Sequence, residues 1–185
     1  MKQILIVIDV QNDFVDGALG SKEAKVIIPN VVEKIKEYKT REDLIITTQD
    51  THYDNYLETF EGKNLPIEHC IANTDGWQLN DDIWEALKNY KNKHNILKTT
   101  FGSILLENYL KKIIPNTINE QMEITIEIIG LCLNICVLCN AILLRTAFPN
   151  VHILLDSKCT AATSESAFKA AISVLKSCQI EVINE

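Results

Sequence analysis

Six short runs of apolar, largely β-branched residues recur along the chain: QILIVID (3–9), DLIITTQ (43–49), NILK (95–98), ITIEIIG (124–130), VHILLD (151–156) and IEVI (180–183). Each has the length of a strand. Most lack the polar alternation of a half-exposed strand, as expected when both faces of a sheet are covered. Segments with helical spacing of apolar residues stand between them. AKVIIPNVVEKIKEYK puts Val26, Ile27, Val31, Ile35 and Tyr38 near one face. DDIWEALKNY, SILLENYLKKI, NICVLCNAILLRTAF and SESAFKAAISVLKSC read the same way, the last opened by a Ser-x-Ser N-cap. Strands that alternate with helices are joined by right-handed crossovers. The expected fold is therefore a three-layer α/β/α sandwich around a central, mainly parallel six-stranded sheet. No linker, repeat or low-complexity tract interrupts the 185 residues, which read as one domain over 1–185.

Composition narrows the function classes. The net charge is −7 and no basic cluster exceeds KNK or KK, so a nucleic-acid partner is not expected. No apolar run reaches the roughly eighteen residues of a membrane span. The start, MKQILIVIDVQNDF, resembles a secretion leader for eight residues only, before Asp9 and then Asn12-Asp13 intervene. A cytoplasmic protein is expected, and its six cysteines then read as thiols.

In open α/β sheets, ligands collect outside the carboxyl ends of the strands. The first run ends in Asp9, the second in Asp50, the third in Lys98 and the fourth in a group of cysteines, Cys132, Cys136 and Cys139. Reactive side chains at four strand ends are difficult to explain by packing. A carboxylate such as Asp9 at the mouth of a sheet is partly desolvated, which raises its pKa and suits a proton shuttle; the bland reading is a turn Asp. Lys98 either snorkels outward or serves as a fixed cation beside a carboxylate and a thiol.

The spacing C-x3-C-x2-C over 132–139 is one that iron–sulfur enzymes use, yet these cysteines are embedded in ICVLCNAILL late in a short chain, which argues against a cluster. Cys136 lies where the fourth strand turns into a helix, where unpaired backbone N–H groups lower a thiol pKa and can hold an oxyanion. Cys139 reads as core. Cys70, Cys159 and Cys178 read as packing, and His94 and His152 as structural. Residues 50–80 form one long irregular region whose composition favours function. Within QDTHYDNYLETFEGKNLPIEHC, Asp50, His52, Glu58, Glu61 and His69 offer an oxygen-plus-imidazole set suited to Zn, Fe or Mn, against the alternative of a solvated loop.

Together these stretches resemble the isochorismatase-like cysteine hydrolases, and within them the nicotinamidase-related group. IDVQNDF resembles the first-strand motif, QDTH with LPIEHC and DGW the metal loop, KTTFGS the lysine motif, and GLCLNICV the nucleophile turn. The resemblance implies a catalytic triad of Asp9, Lys98 and Cys136. It also implies an oxyanion hole from the amides of Cys132 and Cys136, with a cis peptide at Leu131–Cys132. A divalent metal (Zn, Mn or Fe) would be held by Asp50, His52, His69 and Glu61, with Glu58 the lesser choice. Phe14 and Gln11 would contact the substrate. The implied partner is a small-molecule amide, and the implied assembly a homo-oligomer.

The activity this implies is a nicotinamidase-like amidohydrolase working through a thioester. Alternatives on the same fold are hydrolysis of another small amide or of isochorismate, or a non-catalytic binding role. Two departures bear on specificity. Leu133-Asn134 stands where the family carries Thr-Asp, and NLPIEH lacks the Trp that nicotinamidases often place before the metal-loop His, with Trp77 lying beyond it.

Overall fold

The computed structural model describes residues 2–185. The six runs form β1 (Lys2–Ile8), β2 (Leu44–Asp50), β3 (Lys93–Lys98), β4 (Ile124–Gly130), β5 (His152–Thr160) and β6 (Glu181–Ile183). They make one sheet in the order β3-β2-β1-β4-β5-β6, with every neighbouring pair parallel. The chain builds outward from β1 in one direction, then restarts beside β1 with β4. That reversal opens a crevice above the carboxyl ends of β1 and β4.

Among the described residues eight helices accompany the sheet: α1 (Asn12–Val15), α2 (Lys22–Thr40), α3 (Phe60–Asn64), α4 (Asp81–Leu87), α5 (Ile104–Leu110), α6 (Ile118–Met122), α7 (Leu138–Ala147) and α8 (Glu165–Ser177). The two-residue period of β1 sends successive side chains into different cores. Ile4, Ile6 and Ile8 pack against α5, α7 and α8, while Leu5 and Val7 pack against α2 and α4. Side-chain hydroxyls or amides cap most of the helices that carry these layers. Ser21 accepts from Ala24 N–H on α2, Ser103 from Leu106 N–H on α5, and Ser164 from Ala167 N–H on α8.

Some sequence expectations are revised. On α2 the buried stripe contains Ile28 rather than Val26, which is 71% exposed. The stretch 50–80 is less irregular than its composition suggests, since a 3-10 turn at Tyr56–Glu58 and helix α3 lie within it. Helix α6 had no clear periodic signal. Cys139 is exposed on α7 and is not a core residue. His94, expected to be structural, stacks on Tyr109 at 4.1 Å, and His152 pairs with Glu181 at 2.6 Å on the surface.

The α2 layer also carries a buried ionic cluster. Glu127 projects from the middle of β4, where Lys34 of α2 meets it at 2.7 Å and Tyr38 donates to it at 2.7 Å. Lys34 also reaches Asp156 of β5 at 3.0 Å. One cation thus joins two carboxylates between a helix and two strands. Lys34→Met keeps the side-chain volume but leaves the two carboxylates without their shared cation, so it should cost about 3 kcal/mol of stability. Urea denaturation at neutral pH checks this, and an unchanged midpoint would show that the cluster does not hold α2 to the sheet.

Candidate active site

Asp9 follows directly on β1 with φ 48°, a left-handed conformation that costs a non-glycine residue about 1–3 kcal/mol and is retained where surroundings enforce it. Thr48 of β2 supplies that enforcement. Asp9 N–H donates to the Thr48 carbonyl at 3.3 Å and to its hydroxyl oxygen at 3.2 Å, while the Thr48 hydroxyl donates to Asp9 Oδ1 at 2.6 Å. On the other side of β1, Gly130 ends β4 with φ 115°. A Cβ there would lie 2.1 Å from the Ile8 carbonyl oxygen, so only glycine lets β4 deliver the next turn this close to Asp9.

That turn begins with a cis peptide at Leu131–Cys132, as the resemblance implies. Leu133–Val137 then form a single π-type turn leading into α7. Asn140, fully buried, fastens this turn to the loop after β3. Its side-chain N–H2 donates to the Cys136 carbonyl at 2.8 Å and the Phe101 carbonyl at 3.0 Å, and its oxygen accepts from Ser103 N–H at 2.9 Å. Among the described residues the backbone N–H of Cys132 donates to no acceptor, which leaves it free for an oxyanion.

Lys98 stands opposite Asp50 in the β2–β3 register and reaches back across β2. Its Nζ lies 2.7 Å from Asp9 Oδ2, 3.2 Å from Asp50 Oδ1 and 3.6 Å from Cys136 Sγ. Asp9, Lys98 and Cys136 are all buried, at 0%, 3% and 4% exposure. Burial pushes the Asp9 carboxyl above its usual range, more than the Lys98 charge pulls it down. Burial also pushes the Cys136 thiol well up, and the Asp9 charge adds to that, with only Lys98 opposing. This corrects the expectation of a depressed thiol pKa. Lys98 itself is held charged: burial opposes its charge, but the Asp9, Cys136 and Asp50 sites outweigh it.

The long loop folds over the end of β2 and brings Asp50, His52, Glu61 and His69 together, their ligand atoms all within 4.8 Å of one another. His52 Nε2 lies 3.1 Å from Asp50 Oδ2 and 3.7 Å from Glu61 Oε1, and His69 Nε2 lies 3.8 Å from each of those oxygens. Zinc bonds near 2.0–2.1 Å in a tetrahedron place donor atoms about 3.3 Å apart, close to this spacing. The tautomer fits as well. His69 Nδ1 points at the Ile67 carbonyl at 2.8 Å, which fixes the proton on Nδ1 and leaves Nε2 as an acceptor. Burial and the neighbouring Asp50 charge raise the Glu61 carboxyl, a repulsion that a cation between the two carboxylates would remove. Two imidazoles and two carboxylates therefore fit a divalent metal. Glu58 is exposed on the 3-10 turn and stands outside the quartet.

The remaining candidates have distinct placements. Phe14 of α1 lies edge-on to His69 at 5.6 Å between ring centres. Gln11 is fully buried with its amide committed to backbone: it accepts from Asp50 N–H at 2.7 Å and donates to the carbonyls of Asp50 and Trp77, each at 2.9 Å. Its observed task is to fix Asp50. The Trp77 indole donates to the Thr51 hydroxyl at 2.9 Å, which packs the ring beside the loop that carries His52. The Leu133-Asn134 departure is also accounted for. Leu133 is buried, and Asn134 exchanges two 3.0 Å hydrogen bonds with Thr163 that tie the turn to the segment after β5.

A cavity of about 620 Å³ opens beside this assembly, lined by His52, Tyr56, Phe60, Glu61, Phe101 and Ile135 among others. Thr99 and Ile135 are also in its wall, directly after Lys98 and directly before Cys136. Thr48 and Asn140 were missed from sequence. The only signals for them are a polar Thr-Thr pair inside an apolar strand and an Asn inside an apolar helix.

No protein of curated function matches the chain by sequence. Among solved structures it is similar to a nicotinamidase/pyrazinamidase from Bacillus subtilis, at 25% identity and TM-score 0.83 with all of both chains covered. It also resembles in fold a pyrazinamidase of Pyrococcus horikoshii in complex with zinc, at 23% identity and TM-score 0.81 with all of both chains covered. An N-carbamoylsarcosine amidase from Thermoplasma acidophilum shares the fold at 20% identity and TM-score 0.77, over 98% of this chain and 95% of that one. The Isochorismatase domain matches residues 3–185, from the first strand to the last residue, and the chain belongs to the isochorismatase family.

Proposed function

We propose that the protein is a cysteine-dependent amidohydrolase of small amides, with nicotinamide the first substrate to test. The observation that carries this reading is the single buried ammonium of Lys98 in contact with Asp9 and within 3.6 Å of Cys136 Sγ. A thiol, a carboxyl whose affinity for protons is raised by burial, and a fixed cation form a nucleophile–base–electrostatic set. The similarity to the Bacillus subtilis nicotinamidase/pyrazinamidase supports the choice of substrate.

In the proposed reaction Asp9 takes the Cys136 proton as the sulfur attacks the amide carbonyl. This transfer leaves the total charge of the buried groups unchanged, so it avoids the cost of adding a second negative charge to a dry site. The N–H groups of Cys132 and Cys136 hold the tetrahedral oxyanion. Asp9 then returns the proton to the departing ammonia, and a water completes hydrolysis of the thioester. Asp50, His52, Glu61 and His69 would hold the divalent metal, which supplies a Lewis-acid position for a substrate ring nitrogen and so orients the amide. Phe14, Tyr56 and Phe101 provide the apolar surface near that position.

The purified protein should release ammonia from nicotinamide or a closely related small amide. Cys136→Ala should abolish turnover, and Asp9→Asn should lower kcat by about 10²–10⁴-fold while the fold persists. Unchanged turnover in Cys136→Ala would remove the nucleophile assignment. A panel of small amides assayed for ammonia identifies the substrate class.

Asp9 acts as a base and must be deprotonated in the free enzyme. Because burial raises its pKa, kcat/KM should decline on acidification at a higher pH than an ordinary carboxylate would give. A pH–rate profile whose acid limb sits at the ordinary carboxyl value of 3.8 would contradict this. Metal dependence has its own readout. Elemental analysis should find about one divalent metal per chain without sulfide, and Glu61→Ala should lower that occupancy while Glu58→Ala leaves it intact. Equal metal content in the two variants would remove Glu61 from the ligand set.

A further inference from the structure

The two oxygens of the Asp9 carboxylate have unlike surroundings. Oδ1 accepts from the Thr48 hydroxyl at 2.6 Å. Oδ2 pairs with the Lys98 ammonium at 2.7 Å and, among the described residues, accepts no directed hydrogen bond although it is shut off from water. The same ammonium meets the Cys136 sulfur at 3.6 Å, so Oδ2 and the sulfur share a neighbour. We propose that Thr48 is a positioning residue for the proton transfer: its hydroxyl holds the carboxylate in one orientation, with Oδ1 occupied and Oδ2 left to take the Cys136 proton. The inference rests on the reading of Asp9 as the base and names the atom that receives the proton.

The hydroxyl is a fixed donor. Thr48 is fully buried in β2, a strand paired on both sides, by β1 and by β3. A β-branched side chain on such a strand has little freedom at χ1. Its oxygen also accepts from Asp9 N–H at 3.2 Å, so one hydroxyl grips both the backbone and the carboxylate of the same residue. Lys98 acts differently. It reaches Asp9 on a flexible four-carbon stem and shares its charge with Asp50 at 3.2 Å. A compact ammonium attracts a carboxylate without fixing the plane of its two oxygens. The directed bond from Thr48 supplies that plane.

The bond also favours one proton site over the other. As the sulfur attacks the amide carbonyl, the S–H bond breaks, an O–H bond forms on Asp9, and the negative charge of the carboxylate passes to the sulfur. With the proton on Oδ2, Oδ1 becomes the carbonyl end of the acid and still accepts from Thr48. The hydrogen bond is therefore present before and after transfer. A proton on Oδ1 would instead point at the Thr48 oxygen, and the hydroxyl hydrogen would lose its acceptor in a site closed to water. Thr48 does not line the 620 Å³ cavity, so its effect on a substrate passes through Asp9.

The experiment compares Thr48→Val, which keeps the shape and loses the hydroxyl, with Thr48→Ser, which keeps the hydroxyl. Steady-state ammonia release is measured with nicotinamide, or with the small amide that the wild type turns over fastest. Thr48→Val should lower kcat by about 10–100-fold, the worth of a hydrogen bond to a charged group, and leave KM near the wild-type value. Thr48→Ser should restore most of that kcat. Circular dichroism and metal content should match the wild type in both variants, because the end of β2 stays in place. Wild-type kcat in Thr48→Val, equal losses in Thr48→Val and Thr48→Ser, a change confined to KM, or metal lost in step with kcat would each overturn the inference and leave the amidohydrolase reading standing. A wild type that hydrolyses no amide overturns that reading, and this inference with it.

Discussion

One buried ammonium holds the candidate site together. Lys98 leaves the edge strand β3, passes over β2 and meets a carboxylate from β1, a carboxylate from β2 and a sulfur from the turn after β4. No shorter cation could span that distance, and arginine would bring a planar fork in place of a compact charge. Asp9 and Asp50 are both removed from water, where like charges repel strongly, and Lys98 stands between them. The topology makes this possible. Placing β1 between β2 and β4 makes three strands with far-apart sequence positions end within one side-chain length of a fourth.

Asp50 extends the same constraint to the candidate metal quartet. Its Oδ1 faces Lys98 while its Oδ2 faces His52 and His69, so one carboxylate belongs to both groups. Burial would raise Asp50, yet the hydrogen bond with His52 and the Lys98 charge hold it below the usual carboxylate range. Its backbone is clamped in turn by Gln11, whose amide makes three hydrogen bonds to main-chain groups. A shared ligand on a pinned strand end fixes the distance between the sulfur and the cation-binding atoms. That rigidity is what a site orienting a small substrate requires.

The fold was legible because the strands are buried on both faces and so read as continuous apolar runs, and because their ends carry unlike chemistry. Asp9, Asp50, Lys98 and the cysteine turn could be placed from that alone. The supporting residues could not. Thr48 and Asn140 act through hydrogen bonds to groups 39 and 37 residues away, and such pairings depend on strand order rather than on local pattern. Gln11 reads as a substrate contact from its place within the first-strand motif, whereas its amide satisfies the backbone of a neighbouring strand. Cys139 reads as core because the helix around it is apolar, but it is exposed near the start of α7. The direction of the Cys136 pKa is not legible for a related reason: a helix start and a lysine can be read from sequence, but not the burial and the carboxylates around the sulfur.

That last correction changes how the reactivity of the sulfur is understood. A nucleophile with a depressed pKa would rest as a thiolate, open to any small electrophile that enters the cavity. Burial and two nearby carboxylates favour the protonated form of Cys136 instead, and the carboxylate proposed to accept its proton lies against the same ammonium. Moving the proton to Asp9 shifts negative charge from one partner of Lys98 to another, so the cation stabilises the pair before and after transfer. In the proposed reaction the thiolate is therefore made only as a carbonyl arrives to take its charge. The high thiol pKa and the proposed nucleophilic role are then two consequences of the same arrangement, in which proton and electron pair move together inside a site whose total charge stays fixed.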